Sequence, residues 1–208
     1  MATFTEIKAE VAVDISRSDL TTQIAQAVLD AVEYHSTERF WFNETRAHTF
    51  VTVAGTADYT ITPGSGVLDF ITIDWLLSTI SGVTEPLTRI APDEFEDLTL
   101  TSSSGAPCYW TYYNSTFRLY PNPDAVYTIR VAGHYRLTAL SGGTDTNAWT
   151  THARNLIRAT CRKYLYGRAP IQEPEKAQIA AIDEDQELGR LRRETSRRRG
   201  TGIIKPWC

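Results

Sequence analysis

The chain has 208 residues, 42% of them hydrophobic and 22% charged, with a formal net charge of −4; that is enough to bury one large core, or one core with an inserted subdomain. A mildly acidic balance argues against general nucleic-acid binding, whose affinity comes largely from neutralised phosphates. No apolar run approaches the ~20 residues that span a bilayer, and Met1-Ala-Thr-Phe-Thr-Glu6 has neither a basic flank nor an apolar core, so neither a secretion signal nor a membrane partner is expected.

Residues 1 to 17 show only short apolar alternation at Val11, Val13 and Ile15. Ser18-Asp19 reads as a helix N-cap. Leu20, Ile24, Ala27, Val28, Ala31 and Val32 then recur at three- and four-residue steps, which predicts an amphipathic helix to about Arg39. Phe40-Trp41-Phe42 reads as a core plug where that helix meets a β layer, with a stacking platform as the alternative.

From Thr49 the pattern changes. Thr49–Val53 alternates, Gly55 breaks it, Tyr59–Ile61 is a short strand, and Pro63-Gly64-Ser65-Gly66 closes it. Val67–Leu77 is apolar and β-branched at its start, which favours a strand over a helix. A run at Leu87–Ile90 follows, then Pro92–Leu98, a short helix with Pro at its first position and acids at its positive end. Tyr109–Tyr113 and Thr116–Tyr120 flank Asn114-Ser115, a tight hairpin turn, and Pro121-Asn122-Pro123-Asp124 ends the second strand. With Tyr127–Tyr135 these runs read as a β-meander, in which Ile129 and Val131 face one layer and Arg130 and Ala132 the other. Short strands punctuated by Gly and Pro predict a sandwich or open barrel.

After Leu140 a linker ends in capping residues. From Trp149 the positions Ala153, Leu156, Ile157, Cys161, Tyr164 and Leu165 trace one helical face, and Gly167 stops it. Arg154, Arg158 and Arg162 step by four along another face, which reads as a solvated or partner-facing row, with phosphate contact as the alternative. A second helix runs from about Glu173 to Thr195, acidic first and basic last. The predicted class is α+β: a helical layer from the N- and C-terminal helices (1–47 and 145–195), an inserted antiparallel sandwich- or barrel-like β domain (48–144), and a C-terminal arm (196–208).

Chemistry-bearing patterns are scarce. His35, His48, His134 and His152 fall in four different elements, and no metal, nucleophile or phosphate-loop motif occurs. Cys108, Cys161 and Cys208 match no metal spacing and read as reduced thiols, the first two as small buried hydrophobes. Asp93-Glu94, Glu96-Asp97 and Asp183-Glu184-Asp185 read as solvated helix faces. No catalytic residue, metal or cofactor is expected, and nothing supports an enzyme. Trp110, Tyr112, Tyr113, Arg118, Tyr120 and Arg130 interleave aromatic and cationic groups that can stack on bases or sugars. Two functions follow from this: a carbohydrate-binding β-sandwich module, or a non-specific DNA-binding protein. The tail, Arg197-Arg198-Arg199 followed by Gly, Ile203-Ile204 and Trp207, asks for a partner that covers its apolar residues; a disordered basic extension is the alternative.

Several of these segments together resemble the head-to-tail adaptor family of tailed bacteriophages, called tail tubular protein A in some short-tailed phages. They are Arg39-Phe-Trp-Phe-Asn-Glu44, Thr49-Phe-Val-Thr-Val-Ala-Gly55 leading to Tyr59, Gly105-Ala-Pro107, Leu119-Tyr-Pro-Asn-Pro-Asp124 with Tyr127, and Thr146-Asn-Ala-Trp149. The resemblance covers about Asp19 to Arg193. It implies a non-enzymatic virion protein of the neck, assembled in the host cytoplasm into a dodecameric ring. Its implied partners are the portal ring and a distal tail or nozzle protein, with double-stranded DNA passing through the lumen. It also implies a C-terminal extension that reaches the portal; the residues expected to dock there are Arg197, Arg198, Arg199, Ile203, Ile204 and Trp207.

Overall fold

Thr3 opens the first helix through a capping box: its hydroxyl accepts from the Glu6 amide at 3.2 Å, and its own amide donates to Glu6 Oε2 at 2.9 Å. A computed structural model describes residues 2–60 and 67–200. In chain order the elements are α1 (Phe4–Asp14), α2 (Thr21–Ser36), β1 (Glu44–Val51), β2 (Asp58–Thr60), β3 (Phe70–Ile80) and β4 (Val83–Arg89). Next come α3 (Pro92–Thr99), β5 (Ser104–Gly105), β6 (Tyr109–Tyr113), β7 (Thr116–Tyr120), β8 (Asn122–Pro123) and β9 (Thr128–Tyr135). The last are α4 (Ala148–His152), α5 (Arg154–Gly167) and α6 (Pro174–Arg198). The class is α+β, with helices and a curled seven-stranded half-barrel. The chain divides into two compact units, one up to Asn43 and again from Leu137, the other Glu44–Arg136.

The first unit is helical. α1 buries Phe4, Ile7 and Val11, so the alternation seen in its sequence belongs to a helical stripe. The expected cap at Ser18-Asp19 does not form. Asp19 instead takes a two-pronged bond from Arg17, at 2.7 Å on each oxygen, and α2 begins behind Leu20, which has no side-chain cap. α2 also ends earlier than Arg39. The Ser36 hydroxyl donates to the Glu33 carbonyl at 2.7 Å and Thr37 to the Tyr34 carbonyl at 3.1 Å, tightening the last turn. Phe40 is fully buried, edge-on to Trp149 at 5.8 Å, and Phe42 meets the same indole at 5.1 Å. The aromatic plug therefore packs into the helical core. Asn147 caps α4 by accepting from the amides of Trp149 (2.9 Å) and Thr150 (3.2 Å), which fixes where that indole enters.

The second unit is built on one sheet of order β1-β9-β3-β4-β6-β7-β2, beside a two-residue β5-β8 pair. β6 and β7 form the expected hairpin, with Asn114 (φ 48) and Ser115 (φ 56) both in the left-handed region of a tight turn. β9 does not continue it. Its long antiparallel registers run to β1 and β3, so the three runs are not a meander. Ile129 and Val131 are fully buried and Arg130 exposed, as alternation requires, but Ala132 is buried as well. At Gly133 the strands approach so closely that a Cβ would stand 2.3 Å from the Thr72 carbonyl oxygen and 2.9 Å from the Phe70 ring, which only glycine permits. Two pairings depart from the antiparallel scheme: β4 and β6 run parallel over Thr88↔Tyr109 and Arg89↔Trp110, and β5 and β8 over Ser104↔Asn122 and Gly105↔Pro123. The interior holds Phe70, Leu76, Trp110, Phe117, Leu119 and Ile129.

Candidate functional site

The C-terminal half of α6 carries the densest charge of the described chain. Between Glu187 and Arg199 stand six arginines and two glutamates. Cations at a helix C-terminus complement its dipole. Turn-to-turn pairs hold several in place: Arg190 Nε to Glu187 at 2.8 Å, Arg197 to Glu194 at 3.2 Å and Arg198 to Glu194 at 2.7 Å. The hydrogen bond from Arg198 is the main cause that holds the Glu194 carboxyl below its ordinary pKa; desolvation opposes it, and the fields of Arg198, Arg197 and Arg190 add to the lowering. Arg192 reaches Glu38 beyond the end of α2.

Arg198 also lies over the Trp41 ring at 4.6 Å, and His152 meets the same indole at 5.6 Å. Trp41, His152, Arg154, Arg190, Glu194 and Arg198 line a recess of about 410 Å³. Of the expected docking residues, Arg197 and Arg198 occupy the last turn of α6 and Arg199 its C-cap, so the helix continues through Ser196 to Arg198. Ile203, Ile204 and Trp207 lie outside the described residues. Sequence reasoning missed the part of Trp41 and His152. The available signal was the four-residue step of Arg190, Glu194 and Arg198, which puts them on one face of a helix.

The arginine row of α5 does something else. Arg154 Nε donates to Glu10 at 2.7 Å, Arg158 to Asp14 at 2.8 Å, and Arg162 to Asp183 at 3.0 Å. All three cations thus meet carboxylates of α1 or α6, and the row ties three helices together instead of facing solvent or phosphate. Glu184 is likewise no solvated acid. Only 8% exposed, it accepts from Thr160 Oγ1 at 3.1 Å, pairs with Lys163, and stands 3.3 Å from His35 Nε2. His35 Nε2 is also 2.9 Å from Thr160 Oγ1. Burial pushes the His35 pKa down, more strongly than the Glu184 charge raises it, so the imidazole is neutral and its Nε2–H serves both oxygens.

In the second unit the interleaved aromatics and arginines do not converge on one platform. Trp110 is fully buried and donates to the Leu87 carbonyl at 3.1 Å; Tyr112 donates to the Phe70 carbonyl at 3.0 Å; Arg118 is held by Asp58 and Glu96. Arg130 covers Trp75 at 5.4 Å, and Tyr113 stands out at 68% exposure. Cys161 is buried, and burial raises its pKa, whereas Cys108 is exposed, contrary to the expectation that both thiols are interior. Among the described residues no group of three or more His, Cys, Asp and Glu side chains is placed to hold a metal ion, and no helix is long and apolar enough to cross a membrane.

The described chain is thus a helical unit with a basic helix end and a unit built on a seven-stranded half-barrel. The model of the SU10 adaptor protein family matches residues 2–205, and the chain belongs to that family. It is therefore a bacteriophage adaptor, of a structural family, and a component of the virion. No curated protein matches the chain.

Proposed function

We propose that the protein is a head-to-tail adaptor that forms a ring, joins the portal to the tail and lines the channel through which the genome leaves. The observation that carries this reading is the family match over residues 2–205. The ring is a dodecamer, seated between the portal ring and a distal tail or nozzle protein, in the position that tail tubular protein A holds in short-tailed phages. Assembly takes place in the host cytoplasm. The basic end of α6 is the portal-facing contact: Arg197, Arg198 and Arg199 supply charge, and Ile203, Ile204 and Trp207 supply apolar anchors, the mixture that interface centres favour. A body of net charge −4 lets DNA slide through without sticking.

The test is to mix the purified chain with its portal ring and weigh the product by native mass spectrometry, beside a form ending at Arg199. A twelve-copy ring on the portal, lost with the truncation, is the expected result. A portal complex of undiminished yield with the truncated form overturns Ile203, Ile204 and Trp207 as anchors, and no complex with either form overturns the portal-joining role.

A further inference from the structure

The recess over Trp41 is assembled from several parts of the helical unit. Trp41 follows α2, His152 ends α4, Arg154 and Asn155 open α5, and Arg190, Glu194 and Arg198 share one face of α6. At about 410 Å³ it falls within the ~300–1,000 Å³ of ligand-sized sites. Its cationic heads can be reached from solvent: the side chains of Arg154, Arg190 and Arg198 are 41%, 50% and 53% exposed.

These cations keep donors free. The one carboxylate of the lining, Glu194, already holds two partners: Arg198 Nε donates to Oε1 at 2.7 Å and Arg197 to Oε2 at 3.2 Å. Arg190 gives its Nε to Glu187 at 2.8 Å. The terminal amino groups of Arg190 and Arg198 meet no acceptor among the described residues. Asn155 beside them is exposed. Trp41 orders one end of the recess, because Arg198 lies over its ring at 4.6 Å and His152 meets it at 5.6 Å.

We propose that this recess takes an acidic segment of the partner protein, two of its carboxylates meeting the free ends of Arg190 and Arg198. The inference rests on the reading of the α6 end as the portal-facing contact, and names the chemistry which that contact accepts. A guanidinium fork matches the paired oxygens of a carboxylate and binds them more strongly than neutral groups. Arg190 and Arg198 stand two turns apart, about 12 Å along α6. An extended peptide covers that distance in about four residues, and its alternation puts positions i and i+4 on one face. A nucleic-acid strand fits less well. Glu187, Arg190, Glu194 and Arg198 alternate in sign along the helix, and a strand with one charge per ~3.4 Å brings phosphates against both glutamates. A peptide sets isolated carboxylates among neutral groups.

The probe is the peptide acetyl-Glu-Ala-Gly-Ala-Glu-amide, set against the same peptide with glutamine at both ends, at fixed ionic strength. The readout is the indole N–H resonance of Trp41 in the full chain, assigned by its loss in Trp41→Phe. The glutamate peptide is expected to shift it saturably, and the glutamine peptide to leave it in place. Arg190→Gln is expected to raise the half-saturating concentration about tenfold, as loss of one charge-assisted bond requires. Arg46→Gln, at an exposed position of the other unit, is expected to leave it unchanged. Equal shifts with both peptides, an equal effect of R46Q, an unchanged concentration in R190Q, or no saturable shift up to about 20 mM overturns the proposal. A DNA oligonucleotide that shifts the resonance at lower concentration than the peptide also overturns it, and assigns the recess to nucleic acid. The titration contains no portal, so this inference and the portal-joining role fail separately.

Discussion

The two units hold themselves together by different chemistry. In the helical unit, charged side chains bridge elements far apart in the sequence: Glu10 to Arg154, Asp14 to Arg158, Asp183 to Arg162, with His35, Thr160, Lys163 and Glu184 forming an inner polar network. In the β unit, the interior is aromatic and aliphatic, and long-range order comes from backbone ladders such as β3 with β9. Arg118 between Asp58 and Glu96 is an exception there, on a partly exposed surface. Helices satisfy their own backbone groups and must be tied by side chains, whereas strands are tied by the backbone itself. The helical unit should therefore answer to pH and salt, and the β unit much less.

The largest expected effect separates the units through their cores. Trp149→Ala removes the indole against which Phe40 and Phe42 pack and should cost the helical unit about 3–5 kcal/mol. Hydrogen exchange read separately over 154–167 and 128–135 should show faster exchange in α5 with β9 unchanged. Equal acceleration in both would erase the distinction between them.

A smaller effect is set by His35. Its folded pKa lies below its unfolded value because burial disfavours the imidazolium. The unfolded chain then binds the extra proton first, so this contribution is fully present above about pH 6.5 and is lost as pH falls from there towards the folded pKa. Helical-unit stability should drop by up to about 1.4 kcal/mol for each pH unit in that window. His35→Gln, which keeps a neutral donor, should flatten the slope in a pH series of thermal melts. A slope unchanged by that substitution would mean another group carries it.

The smallest effect tests salt. Arg158→Met breaks the Asp14 pair while keeping most of the stem packing, and should cost about 1 kcal/mol or less. Raising NaCl to 1 M should shrink the difference between wild type and variant, since the pair is partly exposed. A difference insensitive to salt would make packing of the stem, not charge, the source of the stability.

Much of this architecture is readable from short windows of residues. Asn114-Ser115 between two aromatic runs, Pro92 ahead of four acids, and the capping set before Trp149 each specify their element through contacts within a few residues. The α1 helix was equally legible in Thr3 and Glu6, a capping box at its proper spacing, although the apolar residues behind it resembled a strand. In the candidate site, the basic run at the end of α6 was plain, but its neighbour Trp41 was not. That ring reaches Arg198 across more than 150 positions of chain, and no local pattern reports such a meeting.

The amino-acid sequence by itself determined the α+β class, the hairpin of β6 and β7, the helix bearing the basic end, and the likeness to phage adaptors. The first three depend on periodicity, capping or turn chemistry, which act over a handful of residues; the likeness rests on the order and spacing of the quoted segments. Only the tertiary structure decided that β9 lies between β1 and β3, that the arginines of α5 meet carboxylates, and that Glu184 is buried beside a neutral His35. These outcomes depend on which distant surfaces meet, and the free energy of such contacts is set by packing and desolvation in the assembled core, where a residue's neighbours in sequence have little say.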